Sequence, residues 1–274
     1  MSMNSFHART ARPKHKSVAP PAASRPGGLR LDALLVERGL APSRTAAQRL
    51  IEAGRVSLDG RTLTKPAQVL ADEAGLVVAP ADAAEYVSRG GLKLADALQH
   101  TGIDPRGCDC LDIGQSTGGF TDCLLQHGAT RVVGIDVGHD QLHPKLAADP
   151  RVEHHEGVNA RQLEKSVLAG RQFDLIVADV SFISLTLILP QLPALLAQLG
   201  DLLLLVKPQF EVGPENIGKG GIVTDTALYA GVKDKLAACC AIHHLAVVNW
   251  FDSPITGTDG NREFFLHARH GPCA

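Results

Sequence analysis

The chain has 274 residues, of which 45 % are hydrophobic and 20 % are charged, and its formal net charge at pH 7 is -2. This length fits one large α/β domain with a small additional module, and the composition is typical of globular proteins. The net charge excludes a surface that is positive throughout, although a net value can hide a basic segment that an acidic region offsets.

The N-terminal segment is basic in this way. Residues 1–30 contain six Lys or Arg residues, four prolines and no acidic residue. Because such a composition cannot bury a core, we expect residues 1–28 to form a disordered basic tail. Prolines also interrupt its apolar stretch before a signal peptide would be complete, so we expect a cytoplasmic protein.

The next segment, residues 29–82, is expected to form a small α+β domain. A leucine face predicts a first helix that ends at Gly39, and Ser43 is placed to cap a second helix. Around Asp59-Gly60 the pattern changes to the alternation of a β-hairpin, for which Asp-Gly is a strong turn signal.

Basic side chains are concentrated in this small domain. A solvated charged face is the usual reading, but charges of one sign repel each other unless an anionic partner compensates, which favours a nucleic-acid surface. The candidate RNA-binding residues are Arg30, Arg44, Arg49, Arg55, Arg61 and Lys65. The stretch "RLDALLVERGLAPSRTAAQRLIEAGRVSLDGRTLTKPAQVL" resembles the RNA-binding domain first seen in small-subunit ribosomal protein four, which implies binding to structured RNA through the second helix.

The remaining chain, residues 83–274, alternates apolar runs with helical stretches, which predicts an α/β domain with a mostly parallel, doubly wound seven-stranded sheet. Predicted strands cover 108–114, 131–137, 151–157, 173–181, 202–209 and 246–252, and a final antiparallel strand covers 263–270. Predicted helices lie near 119–127, 140–148, 160–169, 185–199 and 225–243.

Two other classes of site or protein are disfavoured. The apolar stretch 184–206 contains Pro190, Pro193 and a Gly-Asp break, so it is too interrupted for a membrane-spanning helix. The six cysteines have no zinc-finger spacing, and His139 and His143 lie in a segment that Pro144 breaks, so we expect no metal site.

A glycine-rich turn, "CLDIGQSTGGFTD", joins the first predicted strand of this domain to a helix. It lacks the G-x-G-x-x-G spacing of dinucleotide sites. Its acidic residue, Asp112, would repel a pyrophosphate and attract a sulfonium, and Asp136 at the end of the next strand can accept from ribose hydroxyls, which favours S-adenosylmethionine over NAD. A tight turn without a ligand is the alternative. The candidate donor-binding residues are Asp112, Gly114, Ser116, Gly118, Gly119, Phe120, Asp136 and Asn159.

Four charged residues stand out in this domain: Lys93, Asp179, Lys207 and Glu263. Asp179 and Lys207 each follow a strongly apolar run, where a charged residue is either a strand terminator or part of a site. Together the four resemble the Lys-Asp-Lys-Glu tetrad of FtsJ-like ribose 2′-O-methyltransferases.

From residue 29 to residue 271 the chain resembles the TlyA family, also called hemolysin A, on the motifs "YVSRGGLKL", "DIGQSTGGFTD", "VKPQFE" and "SPITGTDGNREFF". The resemblance implies a Rossmann-like S-adenosylmethionine-dependent methyltransferase that acts on a cytidine ribose in ribosomal RNA or ribosomal subunits. Lys207 would stabilise the alkoxide of the 2′-hydroxyl, and Asp179 would orient Lys207. Gln115 departs from the family, which usually has alanine there.

Two other functions remain open from the sequence. The hemolysin name suggests a membrane-acting cytolysin, although no spanning or amphipathic segment supports it. A non-catalytic RNA-binding factor could keep the same fold. The glycine-rich segment after Lys207 is long enough for a lid that closes on RNA, or for a simple connector. The sequence does not indicate an oligomeric state.

Overall fold

The computed structural model describes residues 28–41, 43–70, 75–79, 86–165 and 167–271, without the side chains of 164 and 165. The tail predicted for residues 1–28 therefore lies, except for Gly28, outside the described residues. The predicted domain boundary between 82 and 83 also lies outside them.

The N-terminal domain contains the two predicted helices and the hairpin. Ser43 caps the second helix by accepting a hydrogen bond from the Ala46 N–H at 3.2 Å. Asp59 and Gly60 both have positive φ, as the two central residues of a tight hairpin turn require. Its elements are β1 (Leu29–Arg30), α1 (Leu31–Glu37), α2 (Arg44–Glu52), β2 (Val56–Leu58), β3 (Arg61–Thr62), β4 (Val69–Leu70) and β5 (Leu76–Val78).

The C-terminal domain is built on the predicted seven-stranded sheet. The strands are β6 (Asp109–Ile113), β7 (Arg131–Ile135), β8 (Val152–His155), β9 (Phe173–Ala178), β10 (Leu196–Val206), β11 (Leu245–Asp252) and β12 (Phe264–His270). Their order across the sheet is β11-β12-β10-β9-β6-β7-β8. They are parallel except where β12 pairs antiparallel with β10 and β11, as expected for the last strand.

Helices cover both faces of this sheet. One face packs on α3 (Gly90–Thr101) and α4 (Gly119–Gln126), and the other packs on α6 (Leu228–Ile242) and several short turns. The helix α3 was not predicted, because two glycines at its start obscure the helical pattern.

Three helix predictions need correction. Segment 185–199 is not a helix, because prolines 190 and 193 cannot continue an α-helix: it forms two short 3-10 turns, and β10 already begins at Leu196. The described residues of segment 160–169 contain only a 3-10 stretch, Ala160–Lys165, that is kinked at Gln162. Segment 140–148 reduces to the single turn α5 (Pro144–Ala147). Among the described residues, no helix is long and apolar enough to cross a membrane.

The sheet register brings the ends of the central strands together. Ile113, the last residue of β6, pairs with Ile135 of β7 and with Ala178 of β9, which in turn pairs with Leu204 of β10. The residues that follow these strands therefore lie along one edge of the sheet, where open α/β sheets bind their ligands.

Candidate active site

A cavity of about 840 Å³ lies at this edge of the sheet. All four residues of the predicted tetrad line it, together with residues of the glycine-rich loop and of α2. The residues that line it include Glu52, Lys93, Gly114, Gln115, Ser116, Gly119, Phe120, Asp179, Ser181, Phe182, Lys207, Gln209, Asp259 and Glu263.

The first half of the tetrad is an ion pair between the ends of β9 and β10. The Lys207 Nζ lies 2.6 Å from the Asp179 Oδ1 and donates a hydrogen bond to the Ser181 Oγ at 2.9 Å. Burial alone would raise the pKa of Asp179, but the charges of Lys207 and Lys93 outweigh burial and lower it. Burial alone would likewise lower the pKa of Lys207, and the Asp179 carboxylate outweighs it and raises that pKa. Lys207 is therefore a fixed cation at neutral pH.

The second half joins α3 to the start of β12. The Lys93 Nζ donates to the Glu263 Oε2 at 2.5 Å, and both side chains are almost completely buried. Burial raises the pKa of Glu263, and the charge of Lys93 acts against that rise. The tetrad thus forms one cluster of two cations and two carboxyl groups, built from four separate elements.

Glu211, which the sequence interpretation assigned no role, ties the loops after β9 and β10 together. Its carboxylate accepts from the Ser184 Oγ and the Leu185 N–H, each at 2.7 Å, and lies 2.8 Å from the Lys235 Nζ. The loop that carries Asp179 is therefore fixed to the loop that carries Lys207. Its sequence signal was its position as the last residue of the motif "VKPQFE", shortly after the apolar run 202–206.

The glycine-rich loop follows β6 and requires glycine at defined positions. Gly114 has a φ of +82°, and a Cβ atom there would lie 2.6 Å from the Asp179 carbonyl oxygen. Gly118 has a φ of +95°, and its Cβ would lie 2.3 Å from the Leu146 side chain. At these two positions the backbone of the loop lies too close to Asp179 and to Leu146 for a side chain. Backbone without side chains suits the binding of a ligand by N–H and C=O groups.

Asp112 does not lie within this loop, as the sequence interpretation assumed, but beneath it. It belongs to β6, is fully buried and does not line the cavity. Its Oδ2 accepts from the Thr121 hydroxyl at 2.7 Å, and that hydroxyl accepts from the Gln115 Nε2 at 2.9 Å. Burial raises the pKa of Asp112 to about 7. Direct attraction of a sulfonium is therefore not a role that this geometry supports; the carboxyl group instead supports the loop from below.

The raised pKa of Asp112 predicts a specific dependence of stability on pH. In the unfolded chain Asp112 loses its proton near its ordinary pKa of 3.8, whereas the folded protein keeps it up to about 7. Between these values the folded state binds more protons, so the free energy of unfolding falls as pH rises, by at most about 1.4 kcal/mol per pH unit. We expect Asp112→Asn to remove this slope in urea unfolding at pH 5 and 7, and the exposed Asp96→Asn to retain it. Equal slopes in Asp112→Asn and wild type would contradict the assignment.

Gln115 fits into the loop because β7 has a glycine beneath it. A Cβ atom on Gly134 would lie 1.9 Å from the Gln115 Nε2, so the side chain occupies the space above that strand. The departure from alanine therefore adds a buried amide that is hydrogen bonded to Thr121 and also borders the cavity.

The other candidate donor-binding residues are divided between the cavity and its surroundings. Gly114, Ser116, Gly119 and Phe120 line the cavity, whereas Gly118, Asp136 and Asn159 do not. Asp136 follows β7 and accepts from the Ser116 N–H at 2.8 Å and the Gly138 N–H at 2.7 Å, so it borders the loop. Asn159 is exposed, and its Oδ1 accepts from the Arg161 N–H at 3.0 Å.

The mouth of the cavity presents an aromatic ring to solvent. Phe182 is 89 % exposed and has a φ of +63°, a backbone region that is uncommon for a bulky residue. Its ring centroid lies 5.2 Å from that of Phe210, on the loop after β10. The two rings form an apolar surface beside Lys207.

The candidate RNA-binding side chains differ in how far they are already engaged. Arg30 and Arg44 form ion pairs with the buried Asp32, at 3.0 and 2.9 Å, and the hydrogen bond from Arg30 holds the pKa of that carboxyl well below its usual range. The sequence predicts basic charges that are almost all of one sign, and in the structure the single Asp32 carboxylate compensates part of the charge of Arg30 and Arg44.

The remaining basic residues contact backbone or solvent. Arg49 donates to the Asp140 carbonyl oxygen at 2.7 Å, which joins the two domains, and Arg55 donates to the Ala79 carbonyl oxygen at 2.7 Å. The exposed side chains of Arg61 and Lys65 form no hydrogen bond or ion pair with another described residue. These two are the most available for an external anion.

The fold and the site define the class of protein. The model of the FtsJ-like methyltransferase family matches residues 86–270, and the model of the S4 domain matches residues 29–74. The chain belongs to the FtsJ-like methyltransferase family and carries an N-terminal S4 domain.

Three relatives illustrate the similarity. The chain is 46 % identical to the 16S/23S rRNA (cytidine-2′-O)-methyltransferase TlyA of Mycobacterium tuberculosis, over 88 % of this chain and 89 % of that protein. It is 40 % identical to Hemolysin A of Brachyspira hyodysenteriae, over 87 % and 99 %. A solved structure from Streptococcus thermophilus superposes with a TM-score of 0.69 at 39 % identity and covers 89 % of each chain.

Proposed function

We propose that this protein transfers a methyl group from S-adenosylmethionine to the 2′-hydroxyl of a cytidine ribose in ribosomal RNA. The observation that carries the proposal is the partly buried Lys207–Asp179 ion pair, at 2.6 Å, beside a glycine-rich loop in the same cavity. The similarity of this chain to the TlyA methyltransferase supports ribosomal RNA as the substrate class.

The residues present fit S-adenosylmethionine. Bare backbone at Gly114 and Gly119 borders the cavity, and the Asp136 carboxylate at the end of β7 can accept from the hydroxyls of a ribose. Ser116 and Phe120 complete this side of the cavity. When bound there, S-adenosylmethionine would supply an electrophilic methyl group on a sulfonium.

The charged cluster provides the complementary chemistry. A ribose 2′-hydroxyl is a poor nucleophile, and an adjacent ammonium stabilises the negative charge that develops on its oxygen. Lys207 remains protonated because of Asp179, so it acts as a fixed positive charge rather than as a base. Asp179 orients this ammonium, while Lys93, held by Glu263, contributes a second positive charge.

The RNA would be held by the S4 domain and by the mouth of the cavity. Arg61 and Lys65 are available to phosphates, and the exposed ring of Phe182 offers a stacking surface for a base. A non-catalytic RNA-binding factor would have no need for the assembled tetrad. A cytolysin has only the name of the Brachyspira relative in its favour.

Two assays on the intact protein test the proposal. We expect calorimetric titration to detect S-adenosylmethionine binding, and we expect tritiated methyl groups to be transferred to purified ribosomal subunits. Because a 2′-O-methyl group blocks alkaline cleavage of the adjacent phosphodiester, the label should appear in alkali-stable dinucleotides. Absence of donor binding, even with subunits present, would favour the non-catalytic factor.

Replacement of Asp136 tests the donor site. We expect Asp136→Ala to weaken S-adenosylmethionine binding about 10- to 150-fold, which corresponds to about 1.5 to 3 kcal/mol for a hydrogen bond to a charged group. Asp136→Asn keeps one acceptor oxygen and should lose less. A folded Asp136→Ala protein with the wild-type dissociation constant in calorimetry would move the donor away from β7.

The double substitution Arg61→Ala/Lys65→Ala tests RNA docking. Each lost phosphate contact should lower the slope of log K against log salt by about 0.7 to 0.9, and affinity for ribosomal RNA should fall at physiological salt. The turnover rate at saturating RNA should stay near normal, since neither residue lines the cavity. Lys233→Ala, on α6, serves as the matched control. An unchanged salt slope would exclude these two side chains from the RNA surface.

A further inference from the structure

One wall of the cavity carries a carboxylate that is not part of the tetrad. Asp259 lies in the loop between β11 and β12, is partly exposed, and lines the cavity. Its Oδ2 accepts from the Asn261 Nδ2 at 2.9 Å and from the Gln209 Nε2 at 3.3 Å. Both donors are buried, so their hydrogen bonds hold the Asp259 carboxylate in one orientation from the protein side of the cavity wall.

The support behind Asp259 is itself rigid. Asn261 is 1 % exposed, accepts from the Val223 N–H at 2.9 Å and donates to the Gly221 carbonyl oxygen at 2.8 Å. The glycine-rich segment after Lys207 is thereby fixed to the loop that carries Asp259. Part of the segment for which the sequence left a lid or a connector open is therefore a fixed wall of the site.

The same wall adjoins the tetrad. A Cβ atom on Gly257 would lie 2.8 Å from the Asp259 Oδ1 and 2.7 Å from the Glu263 Oε1, so the two carboxylates flank one glycine. The charge of Asp259 also contributes to the raised pKa of Lys207. A nucleotide whose ribose reaches Lys207 would bring its base within the same cavity as Asp259.

Hydrogen-bond acceptors are in excess on this wall. The Asp259 Oδ1 receives only a long bond, 3.4 Å, from the Asn261 N–H among the described residues. The buried Gln209 Oε1 has no donor among them. Because the Gln209 Nε2 donates to a carboxylate that can only accept, the amide orientation is determined and its oxygen remains an acceptor.

We propose that Asp259 selects the target base by accepting a hydrogen bond from an exocyclic amino group, with Gln209 and Asn261 positioning it. This proposal rests on the proposed function and adds a determinant of base identity. Cytosine presents an amino group at its N4 position, where uracil presents a carbonyl oxygen. Uracil would place that oxygen against a carboxylate and leave Asp259 without a donor, so the same site rejects uridine.

The test compares two substrates with four forms of the enzyme. The methylated cytidine is first located by mass spectrometry, and ribosomal subunits are then prepared with cytidine or uridine at that position. kcat/KM is measured on the cytidine and on the uridine version of the substrate for wild type, Asp259→Asn, Asp259→Ser and the control Asp96→Asn, which changes an exposed residue. Thermal unfolding identifies the folded variants, and Asp259→Asn keeps an oxygen that can accept from Gln209 and Asn261.

We expect wild type and Asp96→Asn to prefer the cytidine subunits by about tenfold or more, in line with about 1–3 kcal/mol for a specific base contact. Both Asp259 variants should reduce this preference to threefold or less. A structural role of Asp259, or an effect through Lys207, would lower both rates equally and leave the ratio unchanged, which would overturn the proposal. Failure of wild type to methylate even cytidine subunits would instead refute the proposed function.

Discussion

Lys207→Ala is expected to reduce the turnover rate about a hundredfold to a thousandfold, the usual effect of losing one stabiliser of a developing oxyanion. The ammonium interacts more strongly with the transition state than with the bound hydroxyl, so affinities for RNA and for the donor should change little. Single-turnover methylation of ribosomal subunits, with separate binding measurements, distinguishes the two effects.

Two further variants sharpen this test. Lys207→Arg should not restore activity, because the guanidinium is larger and suited to bidentate partners, and so misplaces its charge relative to a single oxygen. Lys233→Ala removes an exposed lysine of α6 and should behave as wild type. A lysine that only contacted phosphate would show the opposite pattern: weaker RNA binding, near-normal turnover at saturation, and substantial rescue by arginine.

The Lys93–Glu263 pair gives the second large effect, on stability as well as on activity. Glu263→Leu would leave the Lys93 ammonium buried without its partner at 2.5 Å, and we expect a loss of about 3–5 kcal/mol in the free energy of unfolding. The double variant Lys93→Met/Glu263→Leu removes both charges and should recover most of that loss. Urea unfolding measures the three proteins on one scale.

Activity should not follow stability in this series. The double variant is expected to be stable but nearly inactive, because the second positive charge beside Lys207 is absent in it. A double variant that regained methylation together with stability would show that the pair only supports the fold. A single variant as stable as wild type would show that the charge of Lys93 is compensated elsewhere.

Half of the tetrad could be predicted from sequence pattern alone. Asp179 and Lys207 each follow an apolar run, and parallel strands place such residues at one edge of a sheet. Lys93 and Glu263 lie 170 residues apart and belong to a helix and to an antiparallel strand. No local periodicity links them, so only the family resemblance indicated their association.

The sequence interpretation failed where tertiary contacts outweighed local signals. The leucines between 185 and 199 favour a helix, but the prolines prevent one and the end of the segment pairs with β9. The segment therefore forms short 3-10 turns followed by the start of β10. Asp112 was read as part of a loop because it precedes Gly114, yet it is the fourth of the five residues of β6 and points into the core.

The contacts of some residues could not be predicted, although the residues lie in the quoted motifs. Glu211 belongs to "VKPQFE" and Asn261 to "SPITGTDGNREFF", yet each binds a backbone group more than twenty-five residues away. Asp259 lies in the second motif, and only the structure shows that it lines the cavity beside Glu263. Contacts of this kind depend on how loops pack, which composition and periodicity do not encode.

Mass spectrometry of nucleosides tests the central claim most directly. Ribosomal subunits are incubated with the protein and with S-adenosylmethionine that carries a trideuterated methyl group, and the RNA is digested completely. We predict 2′-O-trideuteromethylcytidine with the wild-type protein and at least about a hundredfold slower formation with Lys207→Ala. Label on a cytosine ring atom, or equal labelling by both proteins, would contradict methyl transfer to a ribose oxygen stabilised by Lys207.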